Sequence, residues 1–146
     1  LMPTLHPSAV LRSGGKALDF YASQVVYLAQ KETIKKTIRG LTRASGVLIK
    51  AKCEKNKVGF PFRECMFPIL FGYGIDDIVA DLDWLEEVGE SDALGLKSKE
   101  IDDLVRRRFM LPRVEIADFR KRLQKVVVEV WRDIDQDFIP KSGKYV

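Results

Sequence analysis

The chain has 146 residues, 46% hydrophobic and 32% charged, a composition that supports a packed core and excludes a disordered chain. Its 25 Lys and Arg against 21 Asp and Glu leave a formal charge of +4 and a pI near 9.1, which favours an anionic partner without requiring one. No apolar run approaches the roughly 20 residues that span a bilayer, and the first residues lack a basic-then-apolar signal pattern, so no membrane partner and a cytoplasmic location are expected.

The chain opens on Leu1 rather than Met and runs through Pro3, His6 and Pro7 without periodicity. This reads as a loop over residues 1–13 and as the middle of something longer. Ser13 to Ser23 reads as a short helix, with Ser13 at the N-cap and Leu18, Tyr21 and Ala22 on one face. Val25 to Ala29 has strand composition, and a basic stretch from Lys31 to Arg43 leads into a second strand. There Ile49, Ala51 and Cys53 alternate with Lys50, Lys52 and Glu54, the pattern of one buried and one polar face. A third run, Cys65 to Phe71, carries Pro68, which removes a ladder donor and favours an edge or a bulge.

From Ile75 the period becomes helical. Ile75, Ile78, Val79, Leu82, Leu85 and Val88 form a stripe that Gly89 can end. Ser98 is a plausible N-cap for Lys99 to Phe109, and Pro112 precedes a long helix with Phe119, Leu123, Val126, Val127, Val130, Ile134 and, at its end, Phe138 on one side. The fold class is therefore α/β: a helix and about three strands of a mixed sheet in residues 1–74, then a small helical domain in residues 75–146.

Three features bear on chemistry. Ser13-Gly14-Gly15-Lys16 opens a helix, where free backbone N–H groups and the dipole suit phosphate, although an ordinary glycine-rich helix entry gives the same sequence. It is not a P-loop, because Val10 and Ala17 stand where that motif needs Gly and Ser or Thr. Lys55 and Lys57 sit at a strand end, where ammonium groups reach beyond the sheet toward phosphate, whereas Lys50 and Lys52 fit a solvated strand face better. Arg106, Arg107, Arg108, Arg113, Arg120, Lys121, Arg122 and Lys125 form a basic concentration that suits a duplex backbone or the wet side of packed helices, the second reading being slightly favoured.

The inventory for enzyme chemistry is poor. Cys53 and Cys65 lie twelve apart with a single histidine, His6, so no metal site is expected and both cysteines read as reduced, half-buried strand residues. Asp76 and Asp77 are accounted for by capping and dipole effects at a helix start, and Trp84 and Trp131 read as core or interface anchors.

Two stretches together resemble the RecA family of DNA recombinases. Ser13-Gly14-Gly15-Lys16-Ala17-Leu18-Asp19-Phe20-Tyr21-Ala22-Ser23 is similar to the family's Thr-Gly-Gly-x-Ala-Leu-x-Phe-Tyr-Ala-Ser. Lys55-Asn56-Lys57, Pro61-Phe62-Arg63, Phe67 and Ile69-Leu70-Phe71-Gly72-Tyr73-Gly74-Ile75 follow in the family's order. Lys16 and Asp19 depart from the commonest family residues, and no motif match continues past Ile75.

The resemblance implies the carboxy-terminal part of a RecA-like core followed by a C-terminal domain. It implies that residues 1–13 are the tail of a DNA-binding loop, that Arg12, Ser13, Gly14, Gly15 and Lys16 meet single-stranded DNA, and that Phe20 lies at a subunit interface. Lys55 and Lys57 would act in trans on the phosphates of ATP held by a neighbouring subunit, comparable to an arginine finger, and Phe71 and Gly72 would lie near the adenine. ATP and Mg2+ would be bound in the intact filament mainly by residues outside this chain, whose Walker motifs would precede Leu1, so the chain alone is not expected to hydrolyse ATP. The implied partners are single-stranded and double-stranded DNA and further subunits of a filament. The implied processes are homologous pairing and strand exchange in recombination, repair and the SOS response. The alternative is a non-catalytic DNA-binding or recombinase-interacting module derived from the same fold.

Overall fold

The computed structural model describes residues 16–142 and residue 144. They divide into two compact units, one of residues up to 29 with 50–65, the other of residues 30–49 with those from 66 onward. Strands β1 (Gln24–Ile38), β2 (Leu41–Asn56), β3 (Glu64–Leu70) and β4 (Gly74–Ile75) are hydrogen-bonded in the order β1-β2-β3-β4. Ile69 pairs with Ile75 and Leu70 with Gly74, antiparallel.

The expectation of a mixed sheet is corrected, because the four strands among the described residues pair antiparallel. Their connections are too short for anything else: Arg39-Gly40, residues 57–63 and residues 71–73 turn the chain back, whereas a parallel neighbour needs a crossover of a dozen residues or more. The basic stretch Lys31 to Arg43 is not a lead-in but the outer half of β1, the Arg39-Gly40 turn and the start of β2. Both loop residues of the β1–β2 hairpin have positive φ, 51° at Arg39 and 78° at Gly40, the pattern of a type I′ turn that matches strand twist.

The first unit contains α1 (Lys16–Tyr21), the start of β1, the end of β2 and the loop to Cys65. Leu18 and Tyr21, read as the packing face of α1, are exposed, as is Phe20. The alternation expected along β2 is also absent, since every position from Val47 to Asn56 is half-buried. Ion pairs of Lys50 with Glu64 and Lys52 with Glu54 lay the polar side chains down and cover that face. Both cysteines are free thiols; Cys53 is half-buried, but Cys65 is exposed, unlike the sequence reading.

The second unit contains the hairpin's outer half, most of β3, β4 and the helices α2 (Asp77–Glu87), α3 (Ser98–Arg107) and α4 (Arg113–Asp137). Pro68 is buried within β3 rather than on an outer strand. Its carbonyl accepts from the Asp76 N–H at 3.0 Å, so its missing donor faces the same side, where the two-residue β4 has already ended.

Ile78 and Leu85 of α2, Leu94 of a short 3-10 turn (Ser91–Leu94), and Phe119 and Leu123 of α4 form the core. Leu82, Ile101, Ile116, Val126, Val127 and Val130 pack around it. Fully burying such a side chain stabilises by about 1.5–3 kcal/mol, so this apolar stripe, not propensity, fixes the helices. Ile75, placed in the stripe by its period, is instead exposed in β4. At α3 Lys97 occupies the N-cap in place of Ser98, and its N–H donates to Glu100 Oε2 at 2.8 Å. Trp84 and Trp131 stack on each other with centroids 5.2 Å apart.

Candidate functional site

In the first unit the end of β2 carries Lys55, Asn56 and Lys57, held by a local turn. Asn56 Oδ1 accepts from the Val58 N–H at 3.1 Å, an Asx turn, and from Gln24 Nε2 at 3.2 Å; the Lys57 N–H donates to the Ser23 carbonyl at 2.9 Å. The chain returns through Phe62, whose N–H donates to the Cys53 carbonyl at 2.7 Å and which adopts a positive φ of 68°. These bonds fix the direction in which both lysines leave the strand.

Both ammonium groups converge on the C-terminal end of α1. Lys55 Nζ donates to the Asp19 carbonyl and, at 3.2 Å, to the Phe20 carbonyl; Lys57 Nζ donates to the same Phe20 oxygen at 3.1 Å and lies 5.9 Å from the Phe20 ring centroid. A helix end leaves its last carbonyls unpaired and partly negative, so lysines are the natural complement. Two cations on one neutral oxygen still leave excess positive charge that a multivalent anion would satisfy better.

Of the residues singled out from the sequence, Lys55, Lys57 and Phe20 are thus brought together. Phe20 is 72% exposed and meets Tyr21 edge-to-face at 5.5 Å, so α1 offers an uncovered aromatic surface. Lys16 begins α1, while Arg12, Ser13, Gly14 and Gly15 lie outside the described residues. Phe71 and Gly72 belong to the second unit. There the Phe71 N–H donates to the Ser45 carbonyl at 2.9 Å, its ring is 60% exposed, and Gly72 takes a positive φ of 79° that permits the turn.

Sequence reasoning missed the Asp19 and Phe20 carbonyls, because backbone acceptors leave no side-chain signal. Asn56 as organiser of the strand end was visible, since Asn at such a position favours an Asx turn. The basic helices prove partly structural. Arg107 pairs with Asp103 at 3.1 Å, Arg108 with Asp76 at 2.6 Å and Arg120 with Asp77 at 2.9 Å, while Arg122 donates to the Leu94 carbonyl at 2.8 Å. Asp76 therefore does not cap α2 as read from the sequence, and makes no side-chain cap bond; its carboxylate turns to Arg108.

An antiparallel sheet thus ends in two lysines whose ammonium groups meet the last carbonyls of α1. The model of the RecA N-terminal domain matches residues 4–76, and the chain belongs to the RecA family. It is 44% identical over 77 residues to the protein RecA of Thermosynechococcus vestitus, covering 53% of this chain and 21% of that protein. It is 46% identical over 77 residues to the protein RecA of Prochlorococcus marinus, covering 53% of this chain and 19% of that protein. The chain thus spans about a fifth of the length of these curated relatives. Among the described residues no helix is long and apolar enough to cross a membrane.

Proposed function

We propose that this chain is a segment of a DNA recombinase that assembles with ATP on single-stranded DNA and promotes homologous pairing and strand exchange. Its matched half is the closing part of the family's N-terminal domain, as the order of the two sequence motifs indicates, and residues 75–146 are a helical domain appended to it. The observation that carries this reading is the convergence of Lys55 and Lys57 on one carbonyl oxygen at 3.2 and 3.1 Å. Two preorganised ammonium groups at a strand end fit the phosphates of a nucleotide presented by a neighbouring subunit. When bound, the nucleotide supplies a transferable phosphoryl group.

The residues of this chain then do two things. Lys55 and Lys57 place positive charge where negative charge accumulates on phosphate oxygens, without needing the forked geometry of arginine. To reach that phosphate they must leave the Asp19 and Phe20 carbonyls, which frees the end of α1. The exposed Phe71 ring beside the Gly72 turn fits stacking on an adenine, and the sequence Arg12 to Lys16, two cations around two glycines, is the candidate contact for a DNA phosphate.

The test is the Lys55→Ala, Lys57→Ala double substitution in the intact filament-forming protein. The expected outcome is a loss of DNA-stimulated ATP hydrolysis of roughly 10²-fold or more, with nucleotide-independent DNA binding retained. Undiminished hydrolysis would reject the role given to the pair.

A further inference from the structure

The second unit holds two complementary features that the recombinase reading does not use. One is the outer part of the β1–β2 hairpin, a ribbon exposed on both faces from Lys35 to Ala44. It carries Lys35, Lys36, Arg39 and Arg43 and no carboxylate, with Ile38 58% exposed and Leu41 62% exposed on either side of the turn. An isolated two-stranded ribbon is marginally stable in water, so a tip of this kind gains most by docking.

The other feature is a cavity of about 300 Å³ between α2 and α3. Leu82, Ile101 and Val105 give it apolar walls, and Asp83, Glu86 and Asp102 give it a mouth of three carboxylates. No lysine or arginine is among its lining residues, although the chain as a whole is cationic. Burial, then Glu86 and Asp76, raises the pKa of Asp83, which marks a carboxylate that a cation would stabilise.

We infer that the β1–β2 hairpin tip of one copy of this chain docks into the α2–α3 cavity of a second copy, Ile38 and Leu41 against the apolar walls and Lys36, Arg39 and Arg43 against the carboxylates. A ribbon with cations and no carboxylate meets a cavity with carboxylates and no lysine or arginine in its lining, and apolar surface meets apolar surface. Within one copy the ribbon stem at Glu32 to Lys35 faces Val79 and Asp83 across an open cleft of about 800 Å³. The turn lies four residues further out, roughly 13 Å at the rise of a strand, so a second copy is the natural occupant. Tip and cavity are different surfaces, which makes the contact heterologous and therefore propagating. The inference stands apart from the nucleotide and DNA reading and uses none of its residues.

The contact is tested by sedimentation velocity at low ionic strength on the chain, on a tip form (Lys36→Glu, Arg43→Glu), on a cavity form (Asp83→Lys, Glu86→Lys) and on an equimolar mixture of the two forms. The native chain is expected to form an open series of oligomers that dissolves with added salt, and each form alone to be monomeric. The mixture is expected to give dimer and nothing larger, since one intact tip meets one intact cavity; this restoration also shows that both forms fold. A milder cavity form (Asp83→Asn, Glu86→Gln) is expected to weaken assembly without abolishing it. A native chain that stays monomeric, or a mixture of forms with native circular dichroism that stays monomeric, overturns the inference. A monomeric native chain whose tip form loses affinity for duplex DNA overturns it in favour of a nucleic-acid arm.

Discussion

Among the described residues Asp76 is the buried charge, 1% exposed, and its surroundings explain why it is tolerated. Its Oδ2 accepts from Arg108 Nε at 3.1 Å and Nη2 at 2.6 Å, and the guanidinium lies 4.2 Å from the Phe109 ring, which meets Tyr73 edge-to-face at 4.9 Å. Removing one partner of such a pair strands the other charge, so Asp76→Ala is expected to cost about 3–5 kcal/mol in urea unfolding. Adding Arg108→Met is expected to recover much of that loss. The partners stand 32 residues apart, and no periodic pattern links residues at that separation. From the sequence Asp76 could only be assigned a local role as a helix cap.

Gly46 is a second position where one residue governs local geometry. A Cβ there would sit 2.5 Å from the Ile69 carbonyl oxygen and 3.1 Å from Leu70 Cδ2, and a backbone atom in a sheet has no room to withdraw. Gly46→Ala is expected to destabilise by roughly 1–3 kcal/mol, seen as a lower urea midpoint with an unchanged slope. The glycine in the strand was plain from the sequence, but its reason was not, because the obstacle comes from β3.

At the scale of elements, helices were read more faithfully than strands. In α2 and α4 one face is buried, so Ile78, Leu85, Phe119 and Leu123 recur with the helical period. The outer half of β1 has solvent on both faces, so nothing demands alternation and the charges of Lys31, Glu32, Lys35 and Lys36 hide the strand. Its turn is equally disguised, since Arg39-Gly40 replaces the Asn-Gly that signals a type I′ loop.

Helix α2 also carries a pH dependence. Burial, then the charge of Asp77, pushes Asp81 up to about 6 from 3.8. Between those values the folded state holds a proton that the unfolded chain has released, so stability falls as pH rises through that window and the ionised form is disfavoured above it. Asp81→Asn is expected to flatten this slope and to raise the thermal midpoint more above pH 6 than below it. A thermal unfolding series across pH 6 reads both effects.

For the whole molecule, family membership was legible because two motifs within residues 13–75 follow in the family's order, and the family model matches residues 4–76. The architecture around them was less so. Strand direction follows from connection lengths, and these emerged only once β1 was seen to run to Ile38. The helical unit was legible as helices, yet its basic residues were not separable in sequence into those that bind carboxylates within the unit and those that do not. Arg108 and Arg120 look like surface charge until Asp76 and Asp77 are placed beside them.

β1 is the outermost strand of the sheet among the described residues, 15 residues long, and its far side is a row of backbone donors and acceptors without a neighbouring strand. Such a row templates further strands from other molecules, and lysines spaced along it resist that recruitment by repulsion. Lys31, Lys35 and Lys36 hold this position, so Lys31→Gln, Lys35→Gln, Lys36→Gln is expected to leave the fold intact and to convert concentrated solutions to thioflavin-positive fibrils, visible as rising light scatter. The charge that first suggested an anionic partner thus has a second physical consequence, which is to guard the backbone edge of a 15-residue strand against pairing with further strands.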